Sequence, residues 1–505
     1  MKGILVAGTA SEAGKSAVTA GICRWLARRG VKVAPFKAQN MSLNSVVTRD
    51  GAEIGRAQAM QAAAADIEPE AALNPVLLKP GGNGTSQVMV LGKPVAEADA
   101  MSYPALKPRL ADTVLACLTG LAGRFDVVVC EGAGSPAEIN LREHDLANMG
   151  LARAAGLPVI VVADIDRGGA LAALYGTLAL LSRDDQALVA GFVVNKFRGD
   201  ARLLQPGLDR LRDLTGRPVL GVLPYLRDIW LDAEDSLTLA ARPTALGRRA
   251  RAGAEPLTVT VVQLPRVSNF TDVDALMLEP GVEVSFTTSA RGVAEADLVV
   301  LPGTKATVGD LEWLRERGIA DAVARRVAAG GPVFGICGGY QMLGESVDDP
   351  VESRSGLVKG LGLLPVTTSF TQDKTLTRPA GRGLGAHVGT AYEIHHGQVR
   401  VHGGEQLFAG TDGGAGDGCV SGPVLGTLWH GTLESDGFRR ALLEWVARHT
   451  GRGFAADPET DFAAARQAQY DRLADALAEH VDTDALLRLI ECGPTPGLRP
   501  LPPGA

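Results

Sequence analysis

The chain has 505 residues, with 50 Lys and Arg set against 57 Asp and Glu for a net charge of −7. That length carries a prior of about three domains, and the acidic balance, with one short Arg-rich stretch at 242–251, gives no electrostatic footprint for nucleic acid. No run reaches the ~20 apolar residues of a membrane span, and six cysteines without paired spacing argue against a disulfide framework or a zinc site. The expected setting is cytoplasmic, with small-molecule substrates and no membrane partner.

The apolar run at 3–7 reads as a first β-strand, not as a signal peptide. Apolar, β-branched runs follow at 32–36, 125–130, 157–163, 190–195 and 219–223, alternating with helical patterns. That is the rhythm of a parallel sheet covered by helices on both faces. Between 240 and 256 the composition turns to Ala, Arg, Gly and Pro, which marks a linker. A second series at 257–264, 298–301, 332–336 and 424–428 predicts another α/β unit. Residues 461–489 read as helical, and the Pro- and Gly-rich segment 493–505 as a disordered tail. The expected fold is therefore α/β, with two doubly wound domains at 1–240 and 257–450, a linker at 241–256, a helical extension at 451–492 and the tail at 493–505.

The first strand runs into Gly8-Thr9-Ala10-Ser11-Glu12-Ala13-Gly14-Lys15-Ser16 and then a helical pattern. Strand, loop and helix in that order form a phosphate-binding loop, here with five residues between the two glycines instead of four. Its amides would cradle phosphates, Lys15 would supply a point charge, and the Ser16 hydroxyl would hold Mg²⁺. The metal's carboxylate is expected at the end of a neighbouring strand, where Glu131 stands, while Asp126 at that strand's start suits a cap. Lys37, Gln39, Asn195 and Lys196 follow other strands and would share the nucleotide edge, because ligands collect at the carboxyl ends of parallel strands.

In the second half, Phe334-Gly-Ile-Cys337-Gly338-Gly-Tyr-Gln-Met-Leu-Gly344 places a cysteine between an apolar run and a helical pattern, with glycines on both sides. This is the composition of a sharp strand-to-helix turn that exposes a nucleophile. Backbone amides of Gly338 and Gly303 are the expected oxyanion donors. Of eight histidines, His430 follows a predicted strand and precedes a glycine, so it is the expected base, with His395 and His396 as alternatives. A phosphate loop and an activated cysteine on one chain suggest coupled half-reactions: a glutaminase releases ammonia, and an ATP-dependent synthetase consumes it.

These residues resemble the cobyric acid synthase family of corrinoid biosynthesis over nearly the whole chain. The resemblance is carried by residues 8–16, 36–45, 74–80, 131–141, 164–169 and 195–200 in the first half, and by 268–272, the Cys337 turn, 392–395 and the His430 segment in the second. The first half is also similar to dethiobiotin synthetase, which shares the lengthened loop. The resemblance implies ATP- and glutamine-dependent amidation of four peripheral carboxylates of adenosylcobyrinic acid a,c-diamide. It also implies a class I glutaminase on Cys337 and His430, with Mg²⁺, ATP, L-glutamine and a corrinoid bound and no prosthetic group. The wider pattern has Glu two residues after the histidine, but Thr432 stands there, so the third triad member is unassigned, with Glu434 as a substitute. The alternatives are cobyrinic acid a,c-diamide synthase, which differs in the carboxylates used, and a partitioning-type ATPase fused to a glutaminase-like module. Substrate choice is expected in the loops at 36–45, 74–80 and 131–141 together with 230–237.

Overall fold

The computed structural model describes residues 1–502 apart from 82–83, 228, 232–244, 246–254 and 412. Most of the expected linker at 241–256, the Arg-rich stretch and the segment 232–237 therefore lie outside the described residues. The chain-order elements that position the sites are β1 (Gly3–Gly8), α1 (Lys15–Arg28), β2 (Val33–Phe36), α2 (Arg56–Ala64), β3 (Val127–Glu131), β4 (Val159–Asp164), β5 (Val189–Phe197) and β6 (Val219–Pro224). They continue with β7 (Leu257–Val262), β8 (Val282–Thr287), β9 (Leu298–Leu301), β10 (Val333–Ile336), α3 (Gly338–Leu343), β11 (Cys419–Ser421), β12 (Val424–Thr427), α4 (Phe462–His480) and α5 (Thr483–Cys492).

The first sheet is parallel, in the order β6-β5-β4-β1-β3-β2. β1 is buried along its whole length because both faces are covered, which is why it reads as a continuous apolar run. Successive side chains point to opposite faces: Leu5 and Ala7 join one core, while Ile4 and Val6 join another. That second core is closed by the C-terminal helices, through Leu477, Leu486, Leu489 and Ile490. The helical segment after 451 is thus a layer of the first sheet, even though it follows the second in sequence. Arg24 of α1 pairs with Asp471 of α4 at 2.8 Å along the same contact.

The second sheet has the order β8-β7-β9-β10-β12-β11, parallel except for the edge strand β11. Two β-rich insertions lie outside the main sheets. Residues 39–99 include a four-stranded sheet (Gln39–Met41, Val76–Pro80, Thr85–Val90, Lys93–Asp99) and the pair Ser45–Val47 with Glu53–Gly55. Residues 366–401 include the antiparallel pair Val366–Thr377 with Glu393–Val401.

Two expectations need correction. The single helical stretch at 461–489 is two helices, because Val481 bridges to Gly221, the Asp482 N–H donates to Leu220 O (2.7 Å), and the Asp482 side chain caps α5. The tail expected to be disordered is docked as far as it is described: Leu501 is buried, its N–H donates to Gln186 Oε1 (2.7 Å), and its carbonyl accepts from Gln186 Nε2 (3.1 Å). Pro and Gly set the backbone preferences there, but one apolar anchor and a two-bond clamp decide its position.

The contact between β6 and the α4–α5 break has no room for a side chain at Gly221, where a Cβ would stand 2.2 Å from His480 O and 2.7 Å from Val481 Cα. Gly221→Ala is expected to lower stability by about 1–3 kcal/mol through overpacking. Denaturant unfolding of the full chain checks this, and the control Gly309→Ala, at an open position, should be near neutral.

Candidate functional site

Cys337 occupies the single residue between β10 and α3 with φ 49° and ψ −110°, a conformation that costs a non-glycine residue about 1–3 kcal/mol. The turn is held by Cys337 N–H donating to Thr427 O (2.7 Å) and by its carbonyl accepting from Gln341 N–H (3.0 Å). Gly339 is required by close approach, since a Cβ there would lie 1.9 Å from Leu301 O. Gly338 packs against Thr304, and a Cβ on Gly303 would stand 2.8 Å from His430 Cε1. Both expected oxyanion residues thus border the cysteine turn and the imidazole.

His430 follows β12 and is 1% exposed. Its Nδ1 lies 2.7 Å from Asp272 Oδ2, and the other carboxylate oxygen accepts the Gly431 N–H at 2.8 Å. Donating Nδ1–H to Asp272 leaves Nε2 for proton exchange with Cys337, which is near enough to raise the ring's pKa. Tyr392 stacks on the imidazole with centroids 5.4 Å apart. Burial alone would depress the His430 pKa, but Asp272 and then Cys337 outweigh it and push the value up to about 10. The arrangement is suited to proton exchange with the thiol while the ring is held in one tautomer.

Asp272 fills the place that the sequence left open. Glu434 does not reach the imidazole; it lies partly buried between Arg56 and Arg466, whose charges override the effect of desolvation and hold its pKa at about 2. Asp272 sits in the 3-10 turn Phe270–Val273, inside the family-like stretch 268–272, and that membership was the only available signal. His395 and His396 line the recess in front of Cys337 instead of the proton-transfer position.

In the first half, Lys15 arches across the phosphate loop, its Nζ donating to Ala10 O (2.9 Å) and Gly134 O (3.0 Å). Gly8, Thr9 and Gly14 form the loop backbone, with Thr9 N–H donating to Val162 O (2.9 Å) and Gly14 O accepting from Val18 N–H (3.0 Å). Glu131, fully buried at the end of β3, accepts from the Ser16 hydroxyl (2.8 Å), from Lys37 Nζ (3.0 Å) and from Gln61 Nε2. Burial would raise its pKa, but Lys37, Gln61, Ser16 and Lys15 together hold it below the ordinary range. A hydroxyl and a carboxylate side by side at a phosphate loop are the hard oxygen donors that suit Mg²⁺.

Two of the other expected nucleotide residues support the loop, and Gln39 does not. Asn195 Nδ2 donates to Ala13 O (3.0 Å), and Lys196 Nζ donates to Glu12 O and Asp164 Oδ2 (2.8 Å each). Gln39 accepts from the Tyr103 hydroxyl at 2.6 Å. Among the described residues, no helix is long and apolar enough to cross a membrane.

Residues 4–239 match the CobQ/CobB/MinD/ParA nucleotide binding domain, and residues 258–438 match the CobB/CobQ-like glutamine amidotransferase domain. Curated proteins named cobyric acid synthase from Streptomyces avermitilis and Streptomyces coelicolor are each 60% identical to this chain, covering 100% of it and 99% of the relative. The namesake from Saccharopolyspora erythraea is 58% identical, covering 100% of this chain and 98% of its own. Identity at this level runs end to end, through both the phosphate loop and the cysteine turn, so the chain belongs to the cobyric acid synthase family.

Proposed function

We propose that this chain amidates four peripheral carboxylates (b, d, e and g) of adenosylcobyrinic acid a,c-diamide, using ATP and glutamine, to give adenosylcobyric acid. One observation carries the reading: a Cys-His-Asp set and a phosphate loop with a buried carboxylate share a chain whose curated relatives match it over its whole length.

In the second half, His430, whose raised pKa lets it hold the proton taken from Cys337, sits beside the sulfur as it attacks the glutamine side-chain amide carbon. The amides of Gly338 and Gly303 stabilise the oxyanion. His430 returns the proton to the leaving nitrogen, the C–N bond breaks, and ammonia departs from a γ-glutamyl thioester that water then hydrolyses to glutamate. Asp272 keeps the ring oriented and balances the imidazolium charge.

In the first half, a corrinoid carboxylate oxygen attacks the γ-phosphorus of ATP and ADP leaves. The acyl phosphate is needed because a carboxylate has no adequate leaving group for attack by ammonia. Lys15 neutralises the phosphates, and Ser16 and Glu131 would hold Mg²⁺, which would supply positive charge to offset that of the phosphates. Ammonia then attacks the acyl carbon, phosphate leaves with the bonding pair, and the nitrogen loses a proton to give the amide.

Product mass analysis with the a,c-diamide, ATP, Mg²⁺ and glutamine counts the amides formed. Four are expected, whereas a protein that accepts cobyrinic acid and stops at a diamide is the other synthase. Cys337→Ser should lose glutamine-supported turnover by about 10³-fold or more while retaining turnover on free ammonia. Lys15→Ala should fail with either nitrogen source, and equal failure of Cys337→Ser with both sources would sink the two-site reading.

The His430 pKa is raised on folding, so the ion pair's contribution is complete below the free-imidazole value near ~6.5 and fades as pH climbs through about 10. Asp272→Asn should therefore move the alkaline limb of glutamine hydrolysis to lower pH and reduce kcat by about 10²–10⁴-fold. An unshifted limb in the pH–rate profile would count against the assigned role of Asp272.

A further inference from the structure

The recess in front of Cys337 is lined by Lys305, Glu352, Lys374, Lys79 and His395. A free amino acid is a zwitterion, and a site that takes it out of water has to offer it one cation and one anion. Glu53, fully buried, lies between Lys79 and Lys374, the latter at 2.6 Å, and is committed to them. The remaining charges on the recess wall are Lys305 and Glu352, which pair with each other at 16% and 18% exposure. Three lysines against two carboxylates leave one positive charge in excess, which favours an incoming carboxylate.

Both members of the pair are held by fixed backbone. Lys305 follows the Gly303–Thr304 loop against which the cysteine turn packs, and its N–H donates to Arg266 O at 3.0 Å. The Glu352 loop is pinned by buried Asp349, which accepts from the N–H groups of Val351, Glu352 and Ser353 at 3.0, 2.7 and 2.8 Å. Lys305, Glu352 and Lys79 also line a neighbouring cleft of about 790 Å³, so a molecule arriving through that cleft meets the pair before the thiol. His395 on the same wall is 6% exposed, and its ring makes no hydrogen bond among the described residues, Nε2 standing 3.6 Å from Glu393 Oε1.

Resting on the glutaminase reading, we propose that Glu352 holds the α-ammonium of glutamine and Lys305 its α-carboxylate, with Lys79 of the first half completing the carboxylate side. Binding exchanges one protein ion pair for two protein–ligand pairs, so no buried charge is left without a counter-charge. The glutamine site is then shared between the halves, because Lys79 comes from the insertion in the first.

The test follows ammonia release by the full chain from three amides: glutamine, glutaramate (no α-ammonium) and 4-aminobutanamide (no α-carboxylate). In the unsubstituted chain glutamine should lead each analogue in kcat/KM by about 10²-fold or more. Glu352→Gln should collapse the glutamine-to-glutaramate ratio to within about tenfold, since a lost charge partner removes one to two decades of discrimination. Glu352→Asp, which keeps the charge, should restore most of it. Lys305→Met should collapse the glutamine-to-4-aminobutanamide ratio instead, and Lys79→Met should lower that same ratio. Each ratio compares two substrates on one preparation, so partial misfolding of a variant does not move it. Ratios that stay at the unsubstituted values in Glu352→Gln and Lys305→Met overturn the proposal while leaving the glutaminase reading standing. Absence of ammonia release from all three amides by the unsubstituted chain overturns both.

Discussion

A carboxylate removed from water has to be met by cations, and two such carboxylates sit where the halves of this chain meet. Glu53 lies between Lys79 of its own half and Lys374 of the other, and Glu434 lies between Arg56 of the first half and Arg466 of α4. Burial pushes both carboxyls toward protonation, and the flanking cations overcome it and keep them ionised. Such groups add little net stability over an apolar replacement, but a seam assembled out of place strands a charge at a cost of about 3–5 kcal/mol. They therefore select one docking of the halves. Arg466 extends the same requirement to the C-terminal helix, which covers the first sheet after the chain has completed the second.

That docking brings the two proposed sites onto one short helix. Arg56, at the start of α2, bonds Glu434, four residues beyond His430, and Gln61 of the same helix bonds Glu131 beside the phosphate loop. Five residues of α-helix span about 7.5 Å, so side chains that support the two chemistries are about one and a half turns apart. The surroundings are polar and closed: Asn40, Asn44, Gln58 and Asn74 are all buried, with Asn40 donating to Gln58 at 2.9 Å. Protein, not bulk solvent, fills the space between the halves at this point.

The parts legible in the sequence are those in which strand, turn and helix are contiguous. The phosphate loop and the Cys337 turn each concentrate their glycines and reactive side chains within a dozen residues, and the strands of the two parallel sheets read as apolar runs because both of their faces are covered. The insertion at 39–99 was not legible, since its strands are short and its register depends on a neighbouring domain. The amphipathic pattern of 461–489 was visible, but no local signal says which sheet it covers. In the same way the composition of 493–502 points to disorder, whereas Leu501 and Gln186 decide its position.

Asp272 marks the deeper limit, because it lies 158 residues from the histidine it orients and owes its place to tertiary contacts. With Thr432 at the position where the wider pattern has glutamate, the carboxylate arrives from the turn after β7. That turn begins at Asn269, which has a φ of 51°, and whose Nδ2 donates both to Ser45 O of the first half (2.6 Å) and to the hydroxyl of Tyr392 (2.9 Å). Tyr392 in turn stacks on His430 and exchanges backbone hydrogen bonds with it. Moving the orienting carboxylate off the histidine's own loop therefore ties it to the seam. The geometry that activates Cys337 shares its supports with the contact between the halves, and the buried charges that select that contact also help to hold the imidazole's partner in place.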